Sequence, residues 1–109
     1  MSKYNSKLKA VVSNGIITGI QSTVKENSIG AIAFAMDSTG NYLCTSDGLF
    51  NKETTEVCID PTDGTSSPAF GIFFAYVLDT NTILINSLNV NTDDSVEAGF
   101  NNLTFKIKL

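Results

Sequence analysis

Few residues in this chain have chemistry to offer. It contains no His, no Arg and no Trp, so neither a Ser-His-Asp nor a Cys-His arrangement can be assembled, and a zinc site would need both cysteines plus carboxylates. Carboxylates gather twice, as Asp60 and Asp63 in "DPTDGT" and as Asp93, Asp94 and Glu97 in "NTDDSVEAG". Such groups can do acid/base work or bind Ca²⁺ through oxygen ligands, but neither spacing is that of an EF-hand loop. Asp63 before Gly64 is ordinary turn chemistry, and Asp-Asp-Ser is ordinary helix-start chemistry; a surface Ca²⁺ is the alternative. The glycines are scattered among turns and strand ends and form no phosphate cradle. The expectation is a protein that is not an enzyme and holds no cofactor or metal.

Cys44 and Cys58 are the only cysteines. With no secretory leader in view they form no disulfide framework and read as free thiols, buried or half-buried, that folding can dispense with. The opening "MSKYNSKLKA" has lysines but no apolar run behind it, and nowhere do about eighteen consecutive apolar residues occur. A chain made in a cytoplasm, with no membrane partner, is expected. A net charge of -4 and the lack of guanidinium groups remove what neutralises phosphates and grips them bidentately, so nucleic acid is not an expected partner either.

These residues must be positioned by one β domain, residues 1–109. A chain of this length folds to roughly 5,900 Å² of surface around one modest core. With 42% hydrophobic and only 17% charged residues, disorder is not the default, and Ser, Thr and Asn must cover much of the surface. The chain alternates rather than winding. "LKAVVS" and "IITGIQSTV" flank Asn14 and Gly15, a strong hairpin signal because both central residues of a type I′ turn need φ > 0. "AIAFAMD" turns through "STGN" into "NYLCTS", and "TTEVCID" stops at Pro61 ahead of a long turn-rich loop. "GIFFAYVLD" returns through "TN" as "TILINSLNV", a hairpin expected at the centre of the fold. "NTDDSVEAGFNN" has no strand period and leaves room for one helical turn. In "LTFKIKL", Leu103, Phe105, Ile107 and Leu109 share a face opposite Thr104, Lys106 and Lys108. Together these predict an all-β small sandwich or open barrel of about seven or eight antiparallel strands built from hairpins.

Two strands have apolar residues on both faces. Ala31, Ala33 and Ala35 alternate with Ile32, Phe34 and Met36, and Phe73, Ala75 and Val77 alternate with Ile72, Phe74, Tyr76 and Leu78. Alanine on a second face lets another layer approach closely: the opposite sheet, an overlying loop or a neighbouring subunit. A small domain hides one such strand more easily than two. Ala31, Ala33, Ala35, Phe73, Ala75 and Val77 are therefore the candidate interface of a homo-oligomer.

The stretch "IGAIAFAMDSTGNYLCTSDG" resembles a pattern, G-x-(I/L)-A-F-A-x-D followed by L-x-x-x-D-G, of tail-fibre and head-fibre proteins of tailed bacteriophages. The matching positions are Ile29, Gly30, Ile32, Ala33, Phe34, Asp37, Leu43, Asp47 and Gly48. Continued through Asp63, Gly64, Gly71 and Ile72, the order is similar to small capsid-decoration proteins, apart from an inserted "LFNKETTEVCID" and the lack of their long N-terminal arm. The resemblance implies a non-enzymatic structural protein of the virion, often trimeric, bound to itself and to the major capsid protein or another virion protein. Two other classes fit the same residues. One is a glycan-binding module that stacks sugars on Tyr42, Tyr76, Phe50 or Phe70, although without Trp; the other is a barrel with a small-ligand cavity between its sheets.

Overall fold

A computed structural model describes residues 2–14, 16–38, 40–60, 71–89 and 103–109. The described chain is all-β. Its strands are β1 (Lys3–Ser13), β2 (Ile16–Asn27), β3 (Ala33–Ser38), β4 (Asn41–Thr45), β5 (Glu56–Asp60), β6 (Gly71–Asp79), β7 (Thr82–Asn89) and β8 (Leu103–Lys108). They form two four-stranded antiparallel sheets, ordered β2-β1-β8-β5 and β3-β4-β7-β6, that stack as a small sandwich and do not close into a barrel. The accessible surface is 5986 Å², close to the value expected for a compact chain of this length. No helix among the described residues is long and apolar enough to cross a membrane.

Local chemistry accounts for the hairpins. Asn14 ends β1 at a φ of 52°, a conformation that Asn tolerates better than other residues with a side chain. Gly40, at a φ of 82°, joins β3 to β4. Between β6 and β7, Asp79 accepts a hydrogen bond from the Asn81 amide at 2.9 Å. The same turn holds the segment after β4: the Ser46 and Phe50 amides donate to the carbonyls of Asn81 and Thr80, and the Gly48 amide donates to Asn81 Oδ1 at 2.8 Å. Asn51 then caps a tight turn into β5 by accepting from the Glu53 and Thr54 amides.

Period-two alternation builds the core. Tyr4, Leu8 and Ala10 of β1, Ile17 of β2 and Leu103, Phe105 and Ile107 of β8 face Tyr42 and Cys44 of β4 and Ile83 and Ile85 of β7, all buried. Phe34 of β3 lies 6.2 Å from the Tyr4 ring and 5.7 Å from the Phe105 ring, so three aromatics from three strands link the two sheets. Ser6 sits in the inner row of β1 and is buried with them. β1 begins at Lys3, well before the apolar run at Leu8, and two register shifts against β2 mark bulges.

The placement of β6 corrects one expectation. The hairpin "GIFFAYVLD"–"TILINSLNV" does not lie wholly at the centre: β7 is interior, but β6 is an edge strand of its sheet. Its apolar second face is thus not explained by central burial. Leu109 also departs from the inner row of β8, at 36% exposure. The loop after Pro61, the helical turn near Asp93 and Gly15 lie outside the described residues.

Candidate interaction surface

Because side chains alternate across a strand, each sheet has an inner face in the core and an outer face. On the β3-β4-β7-β6 sheet an apolar row crosses the outer face. Ala35, Leu43, Leu84 and Tyr76 stand directly opposite one another in register and form one row across all four strands. Among the described side chains, Phe74 at 45%, Tyr76 at 46% and Leu78 at 41% are the large hydrophobic residues this sheet exposes, and all three belong to β6. Ala33 and Ala35 are exposed at the other edge, on β3.

Beside the apolar row runs a polar one. Asn86 Nδ2 donates to Asn41 Oδ1, and Asn41 Nδ2 donates to Ser38 Oγ at 2.9 Å. Asn86 is also the register partner of Phe74. At the end of the sheet an open surface groove of about 550 Å³ is lined by Ala31, Ile32, Ala33, Thr45, Ser46, Asp47 and Asn81.

The candidate interface residues divide between the two faces. Ala31, Ala33 and Ala35 are exposed, with Ile32, Phe34 and Met36 packed on the core behind them. Phe73, Ala75 and Val77 face inward and pack against the core, half-buried. The outward set of β6 is instead Phe74, Tyr76 and Leu78. The sequence showed that both faces were apolar, but the side that met the core depended on register, and a one-residue slip exchanges the two sets.

Other sequence candidates are also sorted by burial. Tyr42 and Phe50 are buried and offer no ring to a sugar, Tyr76 does offer one, and Phe70 lies outside the described residues. Burial pushes the Tyr42 hydroxyl above its ordinary value, against the opposing influence of Gly40 and Ser87. Cys44 is buried on β4 and Cys58 is exposed on β5, in different sheets, both as free thiols. Desolvation pushes the Cys44 thiol up to about 12, which makes it inert. No group of three or more metal-ligating side chains gathers among the described residues. Asp63, Asp93, Asp94 and Glu97 lie outside them.

The matched positions of the fibre-like stretch have structural work of their own. Gly30 and Gly48 take positive φ values of 124° and 74°. Ile29 is buried, while Ile32 and Phe34 pack on the core. Asn27 fixes the entry to the stretch by accepting from the Ile29 and Gly30 amides at 3.0 and 3.3 Å. Comparison with protein-family models, with curated proteins and with solved structures returns no match.

Proposed function

We propose that the protein is a non-enzymatic structural component of a bacteriophage particle, of the capsid-decoration or head-fibre kind, that associates as a homotrimer through the outer face of the β3-β4-β7-β6 sheet. One observation carries the proposal: a continuous apolar row, Ala35-Leu43-Leu84-Tyr76, flanked by exposed Phe74 and Leu78. Contiguous apolar surface of this sort marks interfaces more often than scattered hydrophobic residues do. A standard interface takes about 800 Å² from each partner, a modest share of the 5986 Å² available. Since Phe74 and Tyr76 are already about half covered, burying the remainder contributes on the order of 1 kcal/mol for each ring. The resemblance of residues 29–48 to phage fibre proteins supplies the particle, and a chain without His or Arg suits a structural role.

Sedimentation and native mass spectrometry at micromolar concentration test the proposal. The wild-type chain is expected as a trimer, and Tyr76→Glu and Ala33→Glu, at opposite edges of the face, as folded monomers. A wild-type monomer at all concentrations overturns it. A second reading, a glycan-binding module, is favoured by the exposed rings of Phe74 and Tyr76 beside Asn86 and Asn41, since aromatic faces and amides together suit sugar rings. Binding of soluble oligosaccharides by a monomer, lost in Tyr76→Ala, would promote it.

A further inference from the structure

The β2-β1-β8-β5 sheet turns a charged face outward, and its charges are sorted by strand. Every lysine of the chain except Lys25 and Lys52 lies on the two central strands: Lys3, Lys7 and Lys9 on β1, Lys106 and Lys108 on β8. The carboxylates lie on the two edge strands, Glu26 on β2 and Glu56 and Asp60 on β5. The centre is thus basic and the β5 margin is acidic, while β2 carries Glu26 beside Lys25, on a chain whose net charge is -4.

The central charges are not fully compensated within the sheet. Lys3 and Lys108 are direct cross-strand partners, a like-charge placement that destabilises a sheet. Among the described residues Lys108 pairs with Glu56 at a loose 3.8 Å. Lys106 stands opposite Asn5 on one side and Cys58 on the other, neither of them an anion. Lys3, Asn5, Glu26, Lys106 and Lys108 border a surface groove of about 280 Å³ on this face.

We infer that this lysine-centred face is a docking surface for a protein partner that presents a carboxylate-rich patch bordered by basic groups. Charge complementarity selects that occupant over a polyanion. A nucleic acid carries one sign of charge throughout and would meet the acidic β5 margin as well as the basic centre. Among the described residues the outward side chains of these strands include no aromatic ring for a base to stack on, and the chain has no guanidinium to clasp a phosphate. A protein surface can place opposite charges against both zones, which fixes register as well as attraction. The inference deepens the proposal of a particle component, on which it rests for the partner's being a protein lattice. It gives attachment a face separate from the one used for self-association.

Heteronuclear NMR titration of the full chain separates the possibilities. The probes are a short peptide with central glutamates and terminal lysines, its composition-matched permutation with central lysines and terminal glutamates, and oligo-dT. The glutamate-centred peptide is expected to bind at least about tenfold more tightly than its permutation, with shifts on β1 and β8, and to weaken as salt rises. Lys9→Glu and Lys106→Glu should abolish that preference, and Lys52→Glu should leave it intact. Equal binding of both peptides, binding of neither, or tighter binding of oligo-dT overturns the inference. Repeating the titration with Tyr76→Glu keeps its outcome independent of whether the chain self-associates.

Discussion

The two outer faces of this sandwich cover the same core and are built by opposite means. On the β2-β1-β8-β5 sheet, Lys7, Lys9 and Lys106 alternate with the inward Tyr4, Leu8, Phe105 and Ile107, with carboxylates on the edge strands. On the β3-β4-β7-β6 sheet, the residues between the inward Tyr42, Cys44, Ile83 and Ile85 are Leu43 and Leu84, with Phe74 and Tyr76 on the edge strand. Charge on an edge resists pairing with other chains, whereas an exposed apolar edge invites it. Both sheets contribute fully buried apolar side chains to the core, so the difference between them lies outside. It lies on the link from surface to partner.

The largest expected effect comes from breaking what the two sheets share. Phe105 is fully buried at 0% exposure and its ring meets both Tyr4 and Phe34. Phe105→Ala should therefore cost about 3–5 kcal/mol in urea unfolding and weaken both sheets in one transition. By contrast, Tyr76→Ala, on the outer face, should change monomer stability by less than about 1 kcal/mol. If the two substitutions cost the same, the outer face is part of the folding core and not a surface held for a partner.

Next in size is a pH effect confined to the second sheet. Cys44 stays protonated to about pH 12 in the fold, against an ordinary value of 9.0. Above pH 9 the unfolded chain therefore binds fewer protons than the folded one, and stability falls as pH rises. The stabilisation is fully present below about pH 9 and is lost by about pH 12, at up to about 1.4 kcal/mol per unit for this one thiol. Tyr42, also pushed up by burial, steepens the decline in the same direction. Unfolding of the wild type and Cys44→Ala from pH 8 to pH 11 checks this: the variant should lose much of the slope. An equal slope in both would show that the thiol does not report on this sheet.

The fold was largely legible because strand alternation and turn chemistry are local. Asn14, Gly40 and the Asp79–Thr82 turn mark their hairpins without help from the rest of the chain. The full extent of β1 was hidden because Ser6, a polar residue, occupies an inner position and breaks the apolar period there. The faces of β6 were harder for a different reason. Phe73, Ala75 and Val77 are as apolar as Phe74, Tyr76 and Leu78, and only pairing with β7, where Ala75 meets Ile85 and Tyr76 meets Leu84, decides which set turns inward. Register is a long-range property, and composition on a single strand does not carry it. The lysine face is hard to see in the sequence because its parts are distant there: "LTFKIKL" sets Lys106 and Lys108 on one face of a single strand, while Lys3, Lys7 and Lys9 come from the other end of the chain. Only the antiparallel pairing of β1 with β8 brings them together.

The smallest expected effect asks whether the two sheets, so different outside, are secured alike within. Asn14 closes the β1–β2 hairpin of one sheet at a φ of 52°, and Gly48 lies in the segment pinned to the β6–β7 turn of the other at a φ of 74°. A Cβ added at Gly48 meets nothing within 4 Å, so Gly48→Ala introduces backbone strain alone. Asn14→Ala keeps a Cβ that is already present and removes only the tolerance of Asn for this conformation. Each substitution should cost about 1 kcal/mol, read as a lower urea midpoint at unchanged slope. Asn14→Gly, which restores conformational freedom, should stay within a few tenths of the wild type. Gly48→Ala costing several times more than Asn14→Ala would mean that the loop seated on Asn81 is bearing on the apolar sheet itself. In that case its outer face is stiffened from one end by the 46–50 segment, and the contrast between the faces extends into how each sheet is held.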